Sequence, residues 1–198
     1  MGRSKALPAS ESRSALASVL SRYFEASLYL MLYTAVLTLV ATGKLDLFTT
    51  IAAPTVLVWK GFRRWRGRAP ELSARTATYF IAGYFLFAPV DYILARNRAS
   101  DAPNPALYAA LLSTVHLLLF AMMVRLYSAR TRRDSLFLAM IAFACMLAAA
   151  VLTVDTAYLA FFLVFLTLGI STFIALEMER GAEDASAAPR WEHQRMAI

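Results

Sequence analysis

Lys60-Gly-Phe-Arg-Arg-Trp-Arg-Gly-Arg-Ala-Pro-Glu-Leu-Ser-Ala-Arg75 carries six cations (Lys60, Arg63, Arg64, Arg66, Arg68 and Arg75) against one acid, Glu71, and lies between two long apolar runs. Cations beside membrane spans resist crossing the bilayer and stay on the cytoplasmic side. Once this stretch is placed inside, the side on which every other segment falls follows by counting. The composition fits a membrane chain. Apolar residues make up 60% of the 198, above the roughly 45–50% of ordinary globular domains, and the mean hydropathy is +0.56. The expected fold is all-α: a polytopic bundle of about six transmembrane helices.

A net charge of +7 raises the question of nucleic acid. The cations sit beside apolar spans, and no separate basic domain exists to carry an acidic polymer. The expected partner is therefore the bilayer, through anionic lipid head groups, and not nucleic acid. Cys145 is the single cysteine, so no intrachain disulfide can form. Its apolar neighbours make it a small hydrophobe in mid-helix rather than a nucleophile.

Residues 1–22 form a cytoplasmic segment with four cations, and from Leu16 its apolar positions follow helical spacing, as in a short interfacial helix. The first span, residues 23–42, is longer than a signal-peptide core of roughly 7–15 residues and starts too late for one. Gly43 is placed to end that helix and Asp46 to cap the next. Residues 47–62 form the weakest span, short and interrupted by Pro54. A re-entrant hairpin here would set the six-cation stretch opposite the four-cation N-terminus, against the charge rule, so this segment is expected to cross. Residues 76–95, 106–127, 135–153 and 156–176 complete the set. Asp134 is placed to cap the fifth helix, where Ala144 and Ala148, four apart, permit close helix approach. The membrane domain thus covers residues 23–177, and residues 178–198 form a polar, loosely ordered tail.

With the N-terminus inside, 17 of the 20 lysines and arginines fall on inner segments and three (Lys44, Arg96 and Arg98) on outer ones. Lys60, Arg63, Arg64, Arg66, Arg68, Arg130, Arg132 and Arg133 determine this topology. Both termini are expected in the cytoplasm, and the protein in the bacterial inner membrane as a multi-pass chain.

Ionisable residues inside spans are functional hypotheses by default. Glu25 sits one turn into the first span beside Arg22 and reads as an interfacial pair. Asp155 reads as a helix cap in an outer turn. Asp91 follows Pro89 near the outer end of the third span, and His116 lies deeper in the fourth. At about 1.5 Å per residue their depths differ by about 9 Å, so contact between them requires a kink or a water. The favoured role for His116 is structural, bonded to a hydroxyl or carbonyl; a proton relay or ligand site with Asp91 is the sharper alternative. No nucleophilic pair, metal cluster or phosphate-binding loop is evident, so no cofactor is expected.

Thr38-Leu-Val-Ala-Thr-Gly-Lys-Leu-Asp46, Trp65-Arg-Gly-Arg-Ala-Pro-Glu-Leu-Ser73, Ser128-Ala-Arg-Thr-Arg-Arg-Asp134, Leu152-Thr-Val-Asp-Thr-Ala-Tyr158 and Phe173-Ile-Ala-Leu-Glu-Met178 together resemble one family. It is the N-terminal membrane domain of bacterial TgpA-type transglutaminase-like proteins. The resemblance implies a helical anchor that precedes an extracytoplasmic transglutaminase-like domain with a Cys/His/Asp site. These motifs are loop and helix-end signatures, and no catalytic residue carries over. The tail after the sixth span is too short for such a domain, and the parity count leaves it inside. The chain is then either a truncated product or a separate module. It is expected to be non-enzymatic, positioning an absent catalytic domain or a separate envelope protein. The competing expectation is a small transporter or channel-like protein that uses Asp91 and His116.

Overall fold

A computed structural model of the chain describes residues 9–67, 72–100, 102–129, 131–153 and 155–187. Arg68, Glu71, Asp101, Arg130 and His193 lie outside the described residues. The described elements are six helices, α1 (Ala9–Ala41), α2 (Leu47–Trp65), α3 (Ala74–Arg98), α4 (Pro105–Ser128), α5 (Arg132–Leu152) and α6 (Thr156–Ala187). No strand occurs among the described residues. Five helices are long and apolar enough to cross a membrane; α2, the segment predicted weakest, is not among them.

Local chemistry places the helix ends. Gly43 (φ 64°) and Gly67 (φ 69°) take the left-handed conformation just past α1 and α2, where a Cβ is costly and glycine is favoured. Asp46 caps α2, its carboxylate accepting from the Thr49 amide, and Ser73 and Asn104 cap α3 and α4 in the same way. Pro105 occupies the first turn of α4, where a missing N–H costs nothing. Asp134, predicted as the α5 cap, instead sits at the third helical position: Thr131 is the cap, and the two residues form a reciprocal capping box.

Three boundaries differ from expectation. The interfacial helix and first span are one continuous helix, because nothing between Ser10 and Arg22 breaks the pattern. α2 continues through Pro54 to Trp65, carrying Lys60, Arg63 and Arg64 into its last turns instead of a loop. α6 continues through Ala187 into the expected loose tail. Glu177, Met178, Glu179 and Arg180 are good helix formers, and Arg180 lies 3.8 Å from Glu177 one turn back.

The chain divides into two compact units, one of residues 29–166 and one of residues 1–28 with 167–198. In the larger unit α4 is the central element, packing against α3, α5 and α2. Its buried face runs through Ala109, Leu112, Val115, Leu119 and Met122. The buried stripe of α5 is Leu138, Ala139, Ala142, Cys145, Met146 and Ala149. Ala144 and Ala148, predicted to permit close approach, are only half-buried. They lie off the stripe that the 3.6-residue period carries through Ala142 and Ala149. In the smaller unit, the Tyr23 hydroxyl bonds the Ser171 hydroxyl. The buried Ser27 and Thr172 hydroxyls lie 3.1 Å apart. Such hydroxyl contacts join helices where no water competes for them.

Candidate functional site

The site forms where the start of α2 meets the middle of α4. His116 lies eleven residues beyond Pro105, about 16 Å along α4 at 1.5 Å per residue. Leu45, in the turn before α2, packs on the cluster of Ala95, Ala109 and Leu112, one to two turns from His116. The α1–α2 turn therefore sits beside the middle of α4, and the end of α3 and the start of α4 extend past it. Further along, the Lys60 ammonium donates to the Leu126 carbonyl. Those two contacts, in the same order on both helices, set α2 parallel to α4.

Two carboxylates flank the His116 ring. Nδ1 lies 2.9 Å from Asp91 Oδ1, in a hydrogen bond. Nε2 lies 3.1 Å from Asp46 Oδ1, yet this second contact is not an aligned hydrogen bond, and Nε2 is buried without one. The gap expected from helix depths is absent: Asp91 and His116 touch directly. α3 runs to Arg98, past the expected end at residue 95, and α4 starts at Pro105, so the depths differ by only about 6 Å at 1.5 Å per residue. His116 is bonded to carboxylate, not to the hydroxyl or carbonyl expected of a structural histidine.

Each acid is held by further groups. The Tyr84 hydroxyl donates to Asp91 Oδ2 at 3.3 Å. Asp46 accepts from the Thr49 amide at 3.2 Å and the Thr49 hydroxyl at 2.7 Å. Burial pushes the Asp46 carboxyl up, but the Thr49 hydroxyl and amide, with His116 and Arg98 nearby, outweigh it and hold the group below its ordinary value. The three side chains line a cavity of about 400 Å³ between α2, α3 and α4. Tyr84 and Phe120, stacked with centroids 4.8 Å apart, form part of its wall.

Asp46 was legible in the sequence only as a cap. The signal that could have marked it is an acid opening the one span too weak to stand alone. Asp155 is exposed and accepts from the Ala157 amide at 3.2 Å, a capping geometry. Glu25 is half-buried in the unit of residues 1–28 and 167–198. Among the described residues, no group of three or more His, Cys, Asp or Glu could hold a metal ion.

The basic stretch is only partly a surface feature. Arg63, Arg64 and Arg66 are exposed, with Arg63 over the Trp59 ring and Arg66 over Phe62. Lys60 is 2% exposed, so it cannot meet lipid head groups as predicted. Its ammonium bonds the α4 backbone and lies 4.3 Å from the centre of the Tyr127 ring. Helical spacing explains the difference: with α2 continuing past Phe62, Lys60 shares a face with Ala53 and Leu57, both buried. Arg133 is exposed and Arg132 half-buried at the start of α5.

Residues 29–197 match the TgpA N-terminal domain family. The chain belongs to that family. All five stretches that carried the resemblance lie inside the match. No curated protein and no solved structure matches the chain. The TgpA N-terminal domain match brings no catalytic residue with it, so the Asp46–His116–Asp91 cluster stands on its geometry alone.

Proposed function

We propose that this chain is a non-catalytic membrane module that positions an extracytoplasmic domain at the outer face of the bacterial inner membrane. The observation that carries the reading is the family match over residues 29–197, joined to five helices able to cross a membrane. The positioned domain is an envelope protein or a transglutaminase-like domain. The cation balance supports both termini in the cytoplasm, and α2 crosses as the sixth span with its basic end inside. The exposed Arg63, Arg64, Arg66 and Arg133 then face anionic head groups.

A cysteine-reactive crosslinker placed at the α3–α4 turn by Asn104→Cys, in a Cys145→Ala background in native membranes, tests this. The product should contain a polypeptide with a transglutaminase-like Cys/His/Asp domain. A residue 104 thiol that labels fully from outside yet captures neither such a polypeptide nor any other envelope protein with an extracytoplasmic domain would sink the reading.

The cluster of Asp46, His116 and Asp91 at a cavity favours a second reading, a small transporter or channel-like protein. Flux through reconstituted vesicles that persists unchanged in Asp91→Asn and His116→Ala would rule it out.

A further inference from the structure

We propose that the cavity between α2, α3 and α4 is a binding site for an amphiphile with an ammonium head group. Three helices sort its lining in the same sense. Along α2, Asp46 and Thr49 give way to Ala52, Ala53 and Val56; along α4, His116 gives way to Leu119, Phe120 and Met123. On antiparallel α3, Arg98 and Asp91 lie at the polar end and Phe87 and Tyr84 follow. The result is a pocket with a polar end and an apolar end two turns away. Phe48, Phe87 and Leu94 on its rim are exposed, so an alkyl chain can enter from the side.

The polar end is rich in acceptors, with the carboxylates of Asp46 and Asp91 on either side of His116. The imidazole meets Asp91 through Nδ1, and Nε2 is buried without a hydrogen bond. Nε2 and Asp46 Oδ1 lie 3.1 Å apart with no hydrogen bond joining them. Two carboxylates converge on this one ring, so a donor placed between them has acceptors on both sides. An ammonium supplies three donors and no acceptor, enough to reach Asp46 and Asp91 together. The charge balance agrees, since two carboxylates face one guanidinium, Arg98. The aromatic rings of Tyr84, Phe87 and Phe120 also favour a cation near their faces. An anionic head group meets the two carboxylates, and a neutral alcohol offers a single donor.

The test titrates the full chain in nonionic detergent with octylammonium and with octanol by calorimetry. Octylammonium should saturate one site at least about tenfold more tightly than octanol, the ratio set by roughly 1.4 kcal/mol. Asp46→Asn and Asp91→Asn should each weaken the amine by about tenfold or more and leave octanol unchanged. Arg98→Gln, which removes an exposed cation, should tighten the amine severalfold; it carries the test alone if an aspartate variant does not fold. Equal binding of amine and alcohol means that the carboxylates do not select an ammonium, and overturns the proposal. So does amine binding indifferent to the aspartates or weakened by Arg98→Gln. Nanodiscs with phosphatidylethanolamine and phosphatidylglycerol of identical acyl chains identify the source by native mass spectrometry. Retained phosphatidylethanolamine marks a lipid head group, and octylammonium binding without lipid preference marks a free amine. Preferential retention of phosphatidylglycerol overturns the proposal.

Discussion

At the scale of single residues, Lys60 and Asp46 take roles that their neighbourhoods in sequence conceal. Lys60 stands first in a run of cations, yet its four-carbon stem is packed and its ammonium bonds the Leu126 carbonyl. A long stem packed on apolar surface matters for its volume as well as its charge. Lys60→Met keeps that volume and sheds a buried charge, whereas Lys60→Ala opens a cavity costing about 2–5 kcal/mol. Unfolding titrations should show methionine as the milder substitution; equal losses would show that the stem is not what counts. Asp46 makes a pH prediction. Its folded carboxyl lies below the ordinary value of 3.8, so it contributes stability above that value, lost as pH falls through the folded one. Asp46→Asn should flatten the acid limb of the stability–pH curve below about pH 4. An unchanged limb would remove the cap and His116 as the cause. Neither the Lys60–Leu126 nor the Asp46–His116 contact was legible, because each joins residues more than sixty positions apart, and periodicity reports only local order.

At the scale of elements, far more could be read in advance. Gly43 and Asp46 mark helix ends by local backbone chemistry, and the structure places those ends there. What failed was the choice of face. On α5, alanines are so frequent that spacing alone allows several stripes, and only packing selects Ala142 and Ala149 over Ala144 and Ala148. A leucine at Ala142, which is fully buried, should cost about 1–3 kcal/mol through overpacking; Ala144→Leu should cost clearly less. Thermal or denaturant midpoints of the two variants decide it, and a reversed order would reassign the packed face. The start of α5 offers a second check. Thr131→Ala breaks the reciprocal cap with Asp134 and should destabilise by about 0.5–2 kcal/mol, while Ser135→Ala one residue on should be nearly neutral.

Over the whole molecule, orientation is a competition among charges on separate segments, so no single residue decides it. On the proposed orientation the inner segments carry 17 of the 20 lysines and arginines, and Lys60 does not act as a surface charge because it is buried. Its removal from the tally leaves the skew intact. Neutralising Arg63, Arg64 and Arg66 together should therefore leave the orientation unchanged, because the N-terminal segment and the α4–α5 turn still hold their cations inside. Adding Arg130→Gln, Arg132→Gln and Arg133→Gln leaves the central helices only Lys60, Arg68, Arg75 and Arg125 on the side proposed as inner, against Lys44, Arg96 and Arg98 on the other, so the local skew on which the rule acts is nearly lost. That sixfold variant should populate two orientations. An impermeant maleimide, applied to intact cells carrying Asp155→Cys in a Cys145→Ala background, reads the outcome: full labelling in the parent and the threefold variant, partial labelling in the sixfold one. Loss of labelling already in the threefold variant would show that the stretch beside α2 sets the topology alone, and that the remaining inner cations follow it.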